Sequence, residues 1–526
     1  MGKVQRSKFM LAAGSGLLLT AAFPKLQQGW LAWLALIPLI LALRQADARQ
    51  AFFLGLTCGL AHFLTLVYWV IHSMHNYGGL PWAVAFLVLV LLAAYLAVYP
   101  ALFAACLVRI AGSPGRVLWL APVIWVAMEY LRSRVLTGFP WELTGYSQYR
   151  FTSLIQAADL AGVYGVSALV VFANTVLAMG LLHWTAVPWQ KEIPGARQTV
   201  AGLVSLALLF GGFLAYGAWR LAATGRAMEN APAVVVAVVQ GNVDQAVKWD
   251  PRFQVLTTVK YRDLSLVASR SHPDLIVWPE TATPFFFGEN SALTRLVTNT
   301  VTETGAAYLI GSPARKKEKG HQVLFNRAYL LDPGARVAGT YDKVHLVPFG
   351  EYVPLKKWLP FIDTLVAQVG NFRAGVRGKT LSWEKGPIGV QICYEIIFPG
   401  LARAMAASGA RLLVNLTNDA WFGTTSAAYQ HFSMAVFRAI ETRRALVRAA
   451  NTGISGFIDP DGRIRATTDL FTARVLCRPV RLLEGQTVYT RWGDWFAIIC
   501  LTITLAGAIM PAIAGFRNGL RPESGR

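Results

Sequence analysis

A thiol, a carboxylate and an amine can together carry acyl transfer, and this chain places one of each just after an apolar run. Glu280 follows Asp274–Trp278 and Pro279, Lys343 follows the run ending at Tyr341, and Cys393 follows Ile388–Ile392. A thiol attacks a carbonyl as thiolate, so it needs a base, and Glu280 can take that proton. The attacked oxygen gains negative charge, which Lys343 can stabilise. The amide N–H of Tyr394 can act as a second donor. The residue types leave a Cys–His dyad open as well, with His345 or His431 as base. Each also has a structural use: a cysteine ending an apolar strand packs as a small hydrophobe, and a lysine among loop polars is solvated.

The elements around these residues alternate. Ala233–Gln240 is a continuous β-branched run, as in a strand buried on both faces. Asp274–Trp278 and Ala307–Gly311 predict further strands, with helical spacing at Arg252–Ser269 and Ser291–Thr304. Phe325–Leu331 and Arg336–Tyr341 flank Asp332-Pro333-Gly334-Ala335, a hairpin signal. The scheme then repeats, with strands at Ile388–Ile392 and Leu412–Leu416. Helices are predicted near Leu401–Ser408 and Ala427–Ala449. A second hairpin is predicted around Asp459-Pro460-Asp461-Gly462. Strands separated by helices, each half ending in a hairpin, point to layered sheets covered by helices.

Composition places this domain in a larger setting. The chain has 526 residues, 55% hydrophobic and 15% charged. Soluble chains carry about 25% charged residues, so this one has too few polar groups for a soluble surface. Disordered, collagen-like and disulfide-scaffold classes are excluded, and an integral membrane protein with a water-exposed part is the reading. Of 28 acidic residues, 22 fall between Ala222 and Asp494, which marks that part. The net charge of +21 does not imply a nucleic-acid partner, because much of it flanks apolar segments. Anionic lipid head groups account for the rest.

A span needs about 20 apolar residues. Eight are expected: Phe9–Phe23, Trp30–Leu43, Ala51–Met74, Leu80–Leu107, Val117–Leu131, Leu160–Trp184, Thr199–Leu221 and Trp495–Ile513. With the N-terminus cytoplasmic, the inner segments carry 12 Lys and Arg and the short outer loops only Lys25, Arg132, Arg134 and Arg150. This bias sets the orientation. The expected plan is a membrane domain at 1–221, an extracytoplasmic domain at 222–494, and an eighth helix with a cytoplasmic tail at 495–526.

The motifs resemble a known superfamily. W-P-E-T at Trp278–Thr281, Y-D-K-x-H-L-V-P-F-G-E-Y-V-P at Tyr341–Pro354 and I-C-Y-E at Ile392–Glu395 are similar to the Glu-Lys-Cys triad motifs of the nitrilase (C–N hydrolase) superfamily. N-x-T-N-D-A-W-F at Asn415–Phe422 fits the segment after its nucleophile strand. More specifically, the whole plan, with G-F-P-W-E-L-T-G-Y-S-Q at Gly138–Gln148, is similar to the apolipoprotein N-acyltransferase family. The resemblance implies a polytopic α-helical membrane domain joined to an α/β, nitrilase-like α-β-β-α sandwich. It implies Cys393 as nucleophile, Glu280 as general base and Lys343 as oxyanion stabiliser. Glu351 matches a second essential acid, and Tyr394, Glu395 and Trp249 match further important positions.

The implied reaction has two steps. Cys393 takes an acyl chain from a phospholipid, phosphatidylethanolamine by expectation, as a thioester. The α-amine of a diacylated apolipoprotein's N-terminal cysteine then accepts it. No metal or organic cofactor is required, no nucleic acid takes part, and a monomer in the bacterial cytoplasmic membrane is expected. A membrane-anchored amidase would use the same triad. Apolar loops at Phe285–Phe287, at 353–362 and at Trp421-Phe422 follow the triad motifs. Phe286, Trp358 and Trp421 are therefore expected to line substrate access.

Overall fold

The computed structural model describes residues 3–245, 248, 250–318, 321–352 and 372–519. Trp249, Trp358 and the apolar run at 353–362 lie outside the described residues. Two compact units form.

The first unit comprises the residues up to Tyr68, Phe86–Tyr216 and those from Asp494 on, and is helical. Among the described residues, three helices are long and apolar enough to cross a membrane: Trp82–Ile110, Val163–Trp184 and Ala196–Asn230. Ala48–Leu66 and Trp69–Asn76, bent by 51° at a short break, make a fourth if counted together. The expected runs nearest the N-terminus, after residue 116 and near the C-terminus coincide with helices Lys3–Ala21, Pro114–Arg132 and Trp495–Gly519. The expected helix over Trp30–Leu43 is broken. Gly29–Trp33 forms a 3-10 turn and only Ile37–Leu43 is α-helical. Pro38 in its first turn has no N–H to continue a helix from upstream. Val200, Val204 and Leu208 are exposed on the Ala196–Asn230 helix, a surface suited to lipid. The 138–148 loop is fixed internally: buried Glu129 accepts from the Thr144 N–H at 2.6 Å and from Trp125 Nε1 at 3.1 Å.

The second unit comprises Trp69–Ala85 and Gly217–Gly493 and holds two six-stranded mixed sheets. In the first, β1 (Ala233–Gln240), β2 (Leu275–Val277) and β3 (Ala307–Glu318) run parallel. Strands β4 (His321–Leu331) and β5 (Val337–Asp342) continue antiparallel through the Asp332–Ala335 turn. The second repeats this plan. After the short β6 (Thr380–Leu381) come parallel β7 (Ile388–Ile392), β8 (Leu412–Thr417) and β9 (Ala445–Ala450). Antiparallel β10 (Gly456–Ile458) and β11 (Ile464–Thr467) follow, and β12 (Arg474–Arg481) returns to pair with β1.

The β-branched run of β1 is buried on both sides, as a central strand between covered faces requires. Ala237, Val239, Ile276, Trp278 and Tyr308 share one core with Tyr261, Ala268, Val297 and Val301 of the helices Pro251–Ser269 and Ser291–Thr304. Trp278 buries its ring there and gives its N–H to Ser265 Oγ at 2.9 Å, which satisfies the polar handle a buried indole carries.

One expected element is corrected. The helix predicted over Ala427–Ala449 ends at Thr442. Arg443 turns left-handed, at φ 53°, and Ala445–Ala450 becomes β9 beside β8. The stretch is apolar with either periodicity, and pairing with a fully buried strand wins over helix propensity.

Candidate active site

Strand ends bring the three candidate residues together. Glu280 stands three residues past β2, Lys343 directly after β5 and Cys393 directly after β7. All three are buried, with Lys343 1% exposed. Lys343 Nζ lies 2.9 Å from Glu351 Oε1 and 3.6 Å from Glu280 Oε1. Glu351, singled out in the sequence, is therefore the lysine's nearest carboxylate.

Cys393 sits in the left-handed region at φ 52°, a conformation that costs a non-glycine residue about 1–2 kcal/mol. It persists because the surroundings hold it. Asn415 Nδ2 donates to Gln391 O at 3.0 Å and reaches Cys393 O at 3.5 Å. Below lies a fully buried network. Asp419 receives Thr417 Oγ1 at 2.9 Å, Arg448 Nη2 at 2.7 Å and His431 Nδ1 at 3.0 Å. Arg448 also donates to Asn415 Oδ1.

Glu395 ties the Lys343 loop to the Cys393 turn. Its carboxylate accepts from the N–H of Ile392 at 2.7 Å, Val344 at 2.6 Å and His345 at 2.9 Å, and from the Tyr341 hydroxyl. It thus fixes residues adjacent to Cys393 and to Lys343 with one group. Burial pushes it up to about 7, against the pull of those N–H donors and Lys343.

The electrostatics separate roles. Burial pushes the Cys393 thiol up to about 12, Glu280 adds to this, and Lys343 opposes it. Burial favours the neutral form of Lys343, but the carboxylates of Glu351 and Glu280 outweigh it and hold the ammonium well above its ordinary value. The site thus pairs a protonated thiol with a firmly charged lysine, and the thiol needs a base at neutral pH.

The two histidines left open as bases are committed elsewhere. Burial and Lys343 lower His345 to about 4, and its ring stacks on Phe398 at 3.7 Å. His431 is held low by burial and Arg448, sits against Asp419, and engages the main chain of Cys393. Tyr394 packs its ring edge-on to Phe398 at 5.1 Å.

Two residues escaped the sequence reading. Asn326 of β4 donates to Glu280 Oε1 at 2.8 Å and Glu351 Oε1 at 2.9 Å. It bridges two carboxylates that would otherwise repel. Its signal was a polar side chain within the apolar Leu324–Leu331 run. The Asn418 N–H donates to Glu280 Oε2 at 3.0 Å, so both carboxylate oxygens are held. Lys248, the second residue, is also buried beside the Glu280 turn.

The access residues divide. Phe285 and Phe287 are buried in the domain core, so those two do not form a free apolar loop. Phe286 carries the Arg315 guanidinium 4.6 Å above its ring. It lines a cleft of about 580 Å³ with Gln254, Pro284, Leu324 and Phe372. Trp421 is 39% exposed and packs edge-on to Tyr77 at 5.3 Å, and its carbonyl accepts from Ser73 Oγ at 2.7 Å.

Comparison with known proteins bears on both units. Residues 15–176 match the model of the apolipoprotein N-acyltransferase N-terminal domain, and residues 235–488 that of carbon-nitrogen hydrolase. The apolipoprotein N-acyltransferase of Geobacter metallireducens is 45% identical over 98% of this chain and 96% of its own length. That of Methylococcus capsulatus is 36% identical over 98% and 99%. A solved structure of Saccharomyces cerevisiae Nit3, a nitrilase-superfamily protein, is 17% identical, with TM-score 0.38, over 47% of this chain and 90% of its own. Helical and α/β parts are thus matched in the same order and almost end to end by relatives of one kind, and the chain belongs to the apolipoprotein N-acyltransferase family.

Proposed function

We propose that this protein transfers an acyl chain from a membrane phospholipid, through a thioester on Cys393, to the α-amino group of a diacylglyceryl-modified N-terminal cysteine of apolipoproteins. The observation that carries this reading is the convergence of Glu280, Lys343 and Cys393 at strand ends, in a chain related end to end to apolipoprotein N-acyltransferases.

In the first step Glu280 takes the thiol proton as Cys393 Sγ attacks the sn-1 ester carbonyl of the donor, phosphatidylethanolamine in this reading. In this reading Lys343 Nζ and the Tyr394 N–H stabilise the charge that develops on the carbonyl oxygen. As the tetrahedral intermediate collapses, Glu280 returns the proton to the leaving glycerol oxygen, giving a lysophospholipid and the thioester. In the second step the acceptor's amine attacks the thioester and passes a proton to Glu280. The departing thiolate recovers that proton, leaving an amide and free enzyme. Glu351 and Asn326 position Lys343 and Glu280, and Glu395 sets the spacing of the two loops.

The test is a two-stage assay. Purified enzyme given phospholipid alone should gain one acyl mass on the peptide containing Cys393. A diacylated lipopeptide added afterwards should remove that mass and appear triacylated. Acyl mass that leaves only as free fatty acid would sink the transferase reading.

The eight-span plan with the 222–494 domain outside the cytoplasmic membrane belongs to the same reading, supported by the 12-to-4 bias of loop cations. The enzyme then works as a monomer at the outer leaflet of the bacterial inner membrane, where both lipid substrates reside. Lys317 is exposed on β3. A Lys317→Cys variant should react with an impermeant thiol reagent on intact spheroplasts, above the background of the parent. Reaction only after lysis would place the domain inside.

A further inference from the structure

Glu280 rests on a tightly constrained turn. Thr281, a β-branched residue, sits left-handed at φ 46°. The turn also presses on Gly311 of β3, where a Cβ would come within 2.7 Å of the Glu280 Cα. Such a turn must be held from outside. One group that holds its main chain is Lys248, itself 1% exposed. Its Nζ donates to the main-chain carbonyl of Glu280 at 3.2 Å and to Thr281 Oγ1 at 2.7 Å.

Among the described residues, the hydrogen-bond partners of Lys248 Nζ are that carbonyl and that hydroxyl, neither of them a carboxylate. A buried ammonium without one is costly. Burial lowers it to about 8, and Glu280 and then Cys393 oppose that shift. Lys343, by contrast, is bonded to Glu351. On the far side of Cys393, Asp419 is committed to Arg448 and His431. The charged groups at the thiol and the base are thus Glu280, Glu351, Lys343 and Lys248, with Glu395 beside the Lys343 loop and the Asp419–Arg448–His431 network behind.

We propose that Lys248 is a positioning residue for the acyl-transfer reaction: it pins the strained Glu280–Thr281 turn and places a cation beside the proposed base. This rests on the reading of Glu280 and Cys393 given above. Lys343 alone divides its charge between two carboxylates.

The experiment measures single-turnover acylation of Cys393 from phosphatidylethanolamine, by intact mass, from about pH 5 to about pH 9. It uses the full-length detergent-solubilised enzyme, its Lys248→Met and Lys248→Gln variants, and Thr281→Val. Lys248→Met loses donor and charge, and loading should fall about 100-fold. Lys248→Gln keeps a donor and should fall less. In both, the acidic limb of loading should move to higher pH, since the charge beside the proposed base is lost. A purely structural role would slow loading without moving the limb. Thr281→Val removes one of the two hydrogen bonds and no charge, and should slow loading with the limb unmoved. Folded Lys248 variants with the wild-type limb overturn the proposal. Should those variants not fold, wild-type loading in Thr281→Val overturns it. A wild type that never loads Cys393 instead removes the reading beneath it.

Discussion

Replacing Cys393 with alanine abolishes the acyl-enzyme, while Cys477→Ala leaves it intact. The chain has five cysteines, at 58, 106, 393, 477 and 500. Cys58, Cys106 and Cys500 lie in apolar helices. Cys477 sits mid-strand in β12 opposite Ala237, in contact with the core of the first sheet. Only Cys393 stands beyond a strand end with Glu280 and Lys343 as its electrostatic neighbours. Losing a nucleophile that acts as one unit with its base costs on the order of 10⁵–10⁶ in turnover. The thiol's environment adds a second, graded expectation. A thiol pushed up to about 12 has a thiolate fraction that grows about tenfold per pH unit below that value. Enzyme lacking the proposed base, as Glu280→Gln, should therefore load Cys393 at a rate that climbs about tenfold per pH unit across the neutral range. Intact-mass kinetics read both effects. Loading of Cys393→Ala on another cysteine, or a pH-flat Glu280→Gln, would reject the assignment.

Much of this site was legible because its chemistry is carried by short motifs at the ends of apolar runs. Strand ends can be read from a run of β-branched residues, and a rigid sheet delivers whatever follows it to one edge. The two hairpins were legible for a similar reason: Asp332–Ala335 and Asp459–Gly462 are turn chemistry in adjacent residues. What failed to show were long-range pairings. The β12 strand, Arg474–Arg481, alternates weakly and is recruited only because β1 has a free edge. β9 looked helical because Ala445–Ala450 fits either period, and only the neighbouring β8 decides it. Asn326 and Lys248 were hidden in another way. Their roles depend on partners 46 and 32 residues distant in sequence, and a single polar residue carries no periodic signal. The helical unit was the reverse case. Apolar content identified it at once, but span boundaries depend on where Gly29 and Pro38 interrupt the backbone.

Replacing Lys343 with methionine should lower acyl loading by about 10³-fold or more, a single oxyanion donor being worth about 10²–10³ before its effect on its neighbours. That further effect follows from geometry. Lys343 Nζ is bonded to Glu351 and stands 3.6 Å from Glu280, and Asn326 ties the two carboxylates to each other. Removing the cation leaves two buried acids bridged by one amide, and breaking a buried pair from one side costs about 3–5 kcal/mol of stability. Lost stability could be mistaken for lost catalysis, so the second partner must be changed too. Lys343→Met combined with Glu351→Gln also neutralises the nearer of the two acids and should recover part of the stability, because Glu280 is then the one carboxylate of the pair left without Lys343. It should recover none of the loading, since a glutamine and a methionine offer no cation to the developing oxyanion. Thermal unfolding in detergent and single-turnover loading, measured on the same samples, separate the two effects. A double variant that loads within about tenfold of wild type would mean that Lys343 serves only to neutralise Glu351, and that the oxyanion is stabilised by main-chain donors alone.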